Sequence, residues 1–300
     1  MKRIAIIIPV HNNLEFTKKS IQTLRRLTAG EDFQHSEFLT VIVDDGSTDG
    51  TGEWLAVNHP EITVLTGDGS LWWSGGVNMG AGYAIDELKA DYILLWNNDI
   101  IPASEYFIEI DKLAGQLDGR TIAGSKILYL EKDRIIWSFG GLFDQRSGAK
   151  KMVGYNLPDS EEFNRVIDVD WLPGMGTLIP VPVIRHIGYW DAGAFPQYHG
   201  DSDFTYRAKR AGYRILVYPQ LVLWNDKSSS GLSHGDSMKG LIGTLTSIRS
   251  DYNIRKNLLF YRRYATSPLA YCFLATYYFR LIGGFMKWKI LSLFGAKRGD

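Results

Sequence analysis

Tyr92-Ile93-Leu94-Leu95-Trp96-Asn97-Asn98-Asp99 decides how this chain folds. Five apolar residues in a row, bounded by polar ones, describe a short strand buried on both faces. The strand ends at once in two amides and a carboxylate, and Ile100-Ile101-Pro102 closes the segment. Polar groups delivered by a buried strand are costly unless they find partners. In an open parallel sheet, the carboxyl ends of the strands are where ligands bind. An oxygen-only cluster of this kind suits a hard divalent cation that carries substrate phosphates.

Outward from this strand, strand and helix patterns alternate. Ile4–Val10, Leu39–Val43 and Ile62–Leu65 read as strands. Leu14–Leu27, Asp49–Val57 and Asn78–Leu88 read as helices, with Asp49 placed to cap the second. Repeated strand–helix–strand units predict an α/β fold, a doubly wound, mostly parallel sheet covered on both faces. The following stretch is mixed. Helices are expected over Ser104–Leu117 and Phe204–Ala211, the latter stopped by Gly212, and strands over Ile122–Tyr129, Ile135–Phe139 and Ile215–Tyr218. Val166–Trp171 and Thr177–Ile179 flank Pro173-Gly174-Met175-Gly176, and Lys150–Asn164 reads as loop.

Composition bounds the function. The apolar share of 45% builds a full core, and 33 basic against 33 acidic residues give no reason to expect nucleic-acid binding. The charge is uneven, however. Arg249 to Asp300 holds ten Lys/Arg against Asp251 and Asp300, a net +8 that the first 248 residues balance. A basic, aromatic tail on an acidic body points to an anionic surface, a membrane first of all. The single cysteine, Cys272, excludes an internal disulfide and a Cys-rich zinc site, in keeping with a reducing cytoplasm. The apolar run near the N-terminus is stopped by Pro9 and reads as a buried strand, not a signal peptide.

Three strand ends carry polar clusters: Pro9-Val10-His11-Asn12-Asn13, Val43-Asp44-Asp45-Gly46-Ser47-Thr48-Asp49 and Asn97-Asn98-Asp99. In a doubly wound sheet they share one edge and can converge on one ligand. Taken singly, each is also ordinary turn chemistry. Between them, Gly67-Asp68-Gly69-Ser70-Leu71-Trp72-Trp73-Ser74-Gly75-Gly76 precedes the helix containing Asn78 and Gly80. Glycines before a helix N-terminus allow close approach to a phosphate, which makes Gly75 and Asn78 candidates for donor binding. Trp72 and Trp73 either stack on a sugar or base or belong to the core.

These residues carry a resemblance. Ile7-Ile8-Pro9-Val10-His11-Asn12 with Val43-Asp44-Asp45-Gly46-Ser47-Thr48-Asp49 resembles the nucleotide-binding half of family 2 glycosyltransferases. The spacing to Asn97-Asn98-Asp99 matches their metal motif, and Gly200-Asp201-Ser202-Asp203-Phe204-Thr205-Tyr206-Arg207 resembles their acidic motif before the acceptor-side helix. The likeness runs over roughly residues 3 to 226. It implies a GT-A fold and an inverting transferase that uses a nucleotide-diphosphate sugar. The triplet and the pattern around Trp171 to Gly176 look most like rhamnosyltransferase-type members, which implies dTDP-rhamnose as donor.

Residue by residue, the resemblance implies that Asp44 or Asp45 accepts from the donor base, with Pro9, His11 and Asn12 as the rest of the base and ribose wall. Asn97 and Asn98 line the same donor site. Asp99 is implied to bind Mg²⁺ or Mn²⁺ bridging the donor phosphates. Asn97 stands where the stricter motif has a first aspartate, so the ion is expected to arrive with the donor. Asn225, Asp226 and His234 are the candidates for a further ligand. Asp201 is the candidate general base and Asp203 the alternative, although Asp203 also suits a helix N-terminus and a pairing with Arg207. Gly200 stands where the family usually has Glu.

The expected organisation is a GT-A domain over 1–235, split into a nucleotide half (1–102) and an acceptor half (103–235), and a helical basic-aromatic region over 236–300. Tyr264–Phe279 carries no charge but is only sixteen residues long and contains Pro268. A span needs about 20. The reading is therefore an amphipathic helix pair lying on the membrane, against a helical cap or a homodimer interface. The expected function is hexosyl transfer to a glycan or lipid-linked acceptor in bacterial envelope polysaccharide synthesis. The enzyme would be cytoplasmic and peripheral at the inner face of the cell membrane. Two other classes are a nucleotidyltransferase, which would want a glycine- and basic-rich loop where Pro9 to Asn13 stands, and a non-catalytic nucleotide-binding membrane scaffold.

Overall fold

The computed structural model describes residues 1–29, 33–226 and 237–293. Contacts divide the chain into two units, 1–142 with 152–230 and 143–151 with 231–300.

The first unit is built on one mixed sheet. Its N-terminal part contributes β1 (Lys2–Val10), β2 (Ser36–Asp44), β3 (Thr63–Thr66) and β4 (Tyr92–Leu95), which pair in parallel in the order β4-β1-β2-β3. Helices α1 (Leu14–Thr28), α2 (Thr51–Asn58) and α3 (Trp72–Asp86) connect them. The pleat of β1 explains the two layers. Ile4, Ile6 and Ile8 face a core that holds Ile21 and Leu24 of α1, whereas Ala5 and Ile7 face a core that holds Val77, Ala81 and Ala84 of α3. All of these side chains are buried.

The sheet continues through β5 (Ile100–Pro102), α4 (Tyr106–Gln116), β6 (Thr121–Tyr129) and β7 (Ile136–Ser138). A two-stranded sheet of β8 (Gly141–Phe143) and β9 (Lys150–Met152) follows, then a 3₁₀ turn at Glu161–Phe163, β10 (Ile167–Asp168) and β11 (Thr177–Pro180). The first unit ends with α5 (Val181–Ile187), α6 (Gly200–Arg210) and β12 (Arg214–Asn225). Strand β11 joins the two parts of the sheet, antiparallel to both β4 and β6, while β12 runs parallel to β6.

Several boundaries differ from the sequence reading. Helix α3 starts at Trp72, not Asn78, so Gly75 and Gly76 lie inside it. Gly76, like Gly80 further along the helix, faces the sheet at a close approach. A Cβ on Gly76 would stand 3.0 Å from Pro9 Cβ, and one on Gly80 2.5 Å from Ile7 Cγ2. Strand β12 runs through Pro219 to Asn225, because its register to β6 shifts between Tyr218 and Val222 and the proline sits in that irregularity. Ile100–Pro102 is a strand in its own right, pairing with the end of β12. Helix α6 begins at Gly200, so the acidic motif forms its first turn.

The second unit contains α7 (Met238–Thr246), α8 (Ile254–Tyr264) and α9 (Pro268–Leu293) together with 143–151. Phe143 packs edge-on against Phe260 and Tyr261 of α8, and Thr266 N–H donates to Gln145 O at 2.9 Å. Pro268 stands at the break between α8 and α9, so the uncharged run from Tyr264 is interrupted as expected. The proline opens α9 at a first-turn position, where its missing N–H costs nothing. Among the described side chains of α9, Ala270, Leu274 and Tyr278 are buried, a single i, i+4 stripe. Phe279 is 77% exposed and Ile290 53%, and Leu269, Phe273, Met286 and Trp288 are exposed around them. The expected pair of helices is α8 and α9, but the apolar residues of α9 lie on several sides instead of one. Pro268–Leu291 is long and apolar enough to cross a membrane by length and composition.

Candidate active site

The three strand-end clusters meet on one edge of the sheet. Val10 and Asp44 are direct partners in the β1–β2 register, Ile7 and Leu95 in the β1–β4 register. Beyond the strands, Asp45 N–H donates to Val10 O at 2.9 Å and Trp96 N–H to Ile7 O at 3.0 Å. The polar residues that follow are therefore neighbours because their strands are.

The first two clusters hold each other. Ser47 Oγ accepts from Asn12 N–H at 2.7 Å, and Asn12 Oδ1 accepts from Thr48 N–H at 2.9 Å. His11 Nδ1 lies 2.7 Å from Asp45 O. Asp49 accepts from Leu14 N–H at the start of α1 and from Thr51 N–H at the start of α2. The two aspartates are not equivalent. Both oxygens of Asp45 are engaged by backbone amides, Gly69 N–H at 2.8 Å and Trp72 N–H at 3.0 Å. Asp44 accepts Ser47 N–H through Oδ1 at 3.0 Å. Asp45 thus fastens the loop before α3, a role its sequence context did not announce.

Asn78 is likewise engaged. Its amide donates to Trp190 O at 2.8 Å and accepts from Trp190 N–H at 3.0 Å, which ties α3 to the segment after α5. Asn98 donates to Thr17 Oγ1 at 3.1 Å, and Asn97 accepts from the Trp73 indole N–H at 3.2 Å.

Asp99 stands apart. Its Oδ1 is buried and has no hydrogen-bond partner among the described residues. Burial, with the Asp226 carboxylate adding to it, pushes the Asp99 carboxyl up to about 6. Asp226 is brought there by register: β12 pairs with β5 so that Asn225 faces Ile100, and Asp226 N–H donates to Asp99 O at 3.1 Å. Asn225 Oδ1 is also buried without a partner among the described residues. The unpartnered Asp99 and Asn225 oxygens among the described residues, with the Asp226 carboxylate beside them, fit a hard divalent ion. Among the described residues, no three His, Cys, Asp or Glu side chains gather into a metal cluster. His234 lies outside the described residues.

On the acceptor side, Asp201 is partly exposed in the first turn of α6. Its Oδ2 accepts from Gly174 N–H at 3.0 Å and its Oδ1 from Ser202 N–H at 2.7 Å. Asp203 is 0% exposed and paired with Arg207 Nε at 3.0 Å, and that guanidinium also donates to Ile187 O and Tyr189 O. It is a packing element and cannot reach an acceptor hydroxyl, so Asp201 remains as the carboxylate of this motif. Gly200, in the position where Glu was expected, has no room for any side chain. A Cβ there would stand 2.2 Å from Ser74 Oγ, which donates to Phe195 O at 2.6 Å.

The family described as "Glycosyl transferase family 2" matches residues 5–172 of this chain, a stretch that contains β1 through β4 and all three strand-end clusters. The chain belongs to this family. Its fold agrees, with the GT-A sheet and a helical tail. Over 180 residues the chain is 29% identical to the low-salt glycan biosynthesis hexosyltransferase Agl10 of Haloferax volcanii, covering 58% of this chain and 54% of that protein. Over 245 residues it is 27% identical to an undecaprenyl-phosphate mannosyltransferase of Micrococcus luteus, covering 78% and 88%. The match therefore spans about half the length of the first relative and most of the second. Among solved structures, GalNAc-T7 with UDP, GalNAc and Mn²⁺ superposes with a TM-score of 0.56 at 11% identity, over 84% of this chain and 49% of that one. At that identity the likeness concerns the fold alone. The family match stops short of the Gly200–Arg207 stretch of this glycosyltransferase-family chain, so Asp201 rests on its own geometry.

Proposed function

We propose that this chain transfers a hexose, with inversion, from a nucleotide-diphosphate sugar to a hydroxyl of a glycan or lipid-linked acceptor. The observation that carries the reading is the orphaned, buried Asp99 oxygen beside Asp226, on the edge where three strand-end clusters meet. Asp99, Asp226 and Asn225 would hold Mg²⁺ or Mn²⁺. When bound, the ion neutralises charge that grows on the departing nucleoside diphosphate. Asp44 or Asp45 would read the donor base, with Pro9, His11 and Asn12 around them; Asp45 is oriented by the Gly69 and Trp72 amides, and Asp44 accepts one amide, from Ser47.

The acceptor oxygen forms the new bond to the anomeric carbon, and the old C–O bond breaks with its electron pair staying on the diphosphate. Asp201 takes the acceptor proton. Its two amide bonds orient the carboxylate for that proton. The names of the two relatives support a hexose and a lipid-linked acceptor. The likeness to rhamnosyltransferase-type members adds dTDP-rhamnose to the donors to be screened. Exposed apolar side chains and cationic Arg280, Lys287 and Lys289 on α9 support a site of action at the inner face of a cell membrane, in envelope polysaccharide synthesis.

The test is a melting-temperature screen of sugar nucleotides with and without Mn²⁺, followed by turnover of those that bind. A ligand that binds only the native state raises the melting temperature. Asp99→Ala should remove the Mn²⁺-dependent gain, and Asp201→Asn should cut transfer at least about 100-fold, the lower end for a lost general base. If no sugar nucleotide binds or turns over, the reading fails. A second reading is favoured by the mannosyltransferase relative: a polyprenyl phosphate acceptor is already an anion and needs no base. In that case Asp201→Asn would retain transfer.

A further inference from the structure

Residues Trp72 to Ser74, the first turn of α3, touch every part of the site. Trp72 N–H is held by Asp45 at the donor-base end. Trp73 donates its indole N–H to Asn97 Oδ1 in the triplet that ends in Asp99. Trp73 N–H donates to Gln197 Oε1 at 3.2 Å, and Ser74 N–H to Pro196 O at 2.8 Å, in the segment leading to Asp201. The indole also lies against Gly174, where a Cβ would stand 2.2 Å from Trp73 Cζ2. Gly174 N–H is the donor that holds Asp201 Oδ2. One side chain therefore bonds the amide two residues before Asp99 and walls the residue that aims Asp201.

We propose that Trp73 is a positioning residue that fixes the Asp201 carboxylate relative to the Asn97–Asp99 triplet. The inference rests on the transferase reading for what that spacing serves, but the coupling itself is independent of it. An indole is rigid, and its N–H and Cζ2 lie side by side on one edge, so it holds Asn97 and Gly174 at a set spacing. Phe at this position keeps most of the ring and loses the N–H. Gly174→Ala keeps the N–H and displaces the ring. Both leave Asp99 and Asp201 in place chemically and loosen the distance between them. A misplacement of about 1 Å is enough to cost on the order of 10²-fold in rate.

The experiment labels the full chain with 5-fluorotryptophan and assigns the Trp73 ¹⁹F resonance by its loss in Trp73→Phe. Asn97→Ala and Asp201→Asn should each shift that resonance, because each changes one end of the chain of contacts. Mg²⁺ with UDP or dTDP should shift it in the wild type and less in Asn97→Ala. With any sugar nucleotide that turns over, Trp73→Phe should lose about tenfold or more in kcat while the donor KM stays within about twofold. A Trp73 resonance indifferent to Asp201→Asn overturns the proposal, as does a folded Trp73→Phe that raises donor KM and leaves kcat unchanged. Absence of any nucleotide binding would sink the transferase reading instead, and the response to Asp201→Asn would still decide the coupling.

Discussion

Asp99 is, at the scale of one residue, a carboxyl that burial disfavours as an anion. A buried carboxylate with an unpartnered oxygen and a second carboxylate beside it is unfavourable when charged. Its folded-state value of about 6 lies above the roughly 3.9 of an unfolded Asp, so the stability it permits is fully present below pH 4 and lost as pH rises through 6. Asp99→Asn removes the titration and nearly preserves the shape. In the presence of a chelator, this variant should melt a few °C above the wild type at pH 7.5, and the gap should close towards pH 4. The same variant should lose the Mn²⁺-dependent gain with a sugar nucleotide. Melting curves at the two pH values check the sign. A variant that melts below the wild type at pH 7.5 would mean Asp99 has a stabilising partner, not a vacant role. Asp203 shows the opposite case: a carboxylate two positions from Asp201 is fully buried and paired with Arg207.

At the scale of elements, α3 explains both what the sequence disclosed and what it concealed. Its packing rests on Gly80, whose added Cβ would meet Ile7 Cγ2 at 2.5 Å and Val43 Cγ2 at 3.1 Å. Gly80→Ala should therefore destabilise by about 1–3 kcal/mol through overpacking, against roughly 1 kcal/mol that alanine gains in a helix. Urea titration should show a lower midpoint with an unchanged slope. A higher midpoint would mean the helix can lift off the sheet without cost. The parallel strands were legible because continuous apolar runs ending in polar clusters leave few alternatives, and the same pattern showed that the three polar clusters would share one sheet edge. The start of α3 was not, since Gly75-Gly76 reads as loop until Pro9 is seen to need the space. Nor was the reach of β12, where Pro219 reads as a stop until the register shift at Tyr218 admits it. Those two misread elements are the ones that bring Trp73 to Asn97 and Asp226 to Asp99. A local pattern cannot announce a pairing that depends on long-range register.

At the scale of the whole molecule, the chain combines a neutral total with a tail of net +8. Within the second unit, α9 gives up one stripe to burial and leaves Phe279, Ile290, Phe273 and Met286 in solvent. Arg280 sits near the middle of the helix, where crossing a bilayer would put a charge in hydrocarbon at about 2.5–3.5 kcal/mol. Lying at the headgroup level instead lets Arg280, Lys287 and Lys289 reach anionic lipid while the aromatic and aliphatic side chains enter the acyl boundary. Truncating the tail would be a poor test, because Phe143 would lose Phe260 and Tyr261, and Gly148 O would lose the Tyr261 hydroxyl. Point changes on exposed positions avoid that. The wild type should sediment with phosphatidylglycerol-containing vesicles and much less with phosphatidylcholine alone, and the difference should shrink between 0.1 and about 1 M salt as the Debye length falls from ~10 to ~3 Å. Phe279→Glu with Ile290→Glu should abolish sedimentation without lowering the melting temperature, since neither side chain is buried. Binding that survives both changes at low salt would assign the attraction to the basic residues alone. Binding that is indifferent to salt and to lipid charge would make α9 a membrane-crossing helix and move the site of action from a surface-bound enzyme to an anchored one.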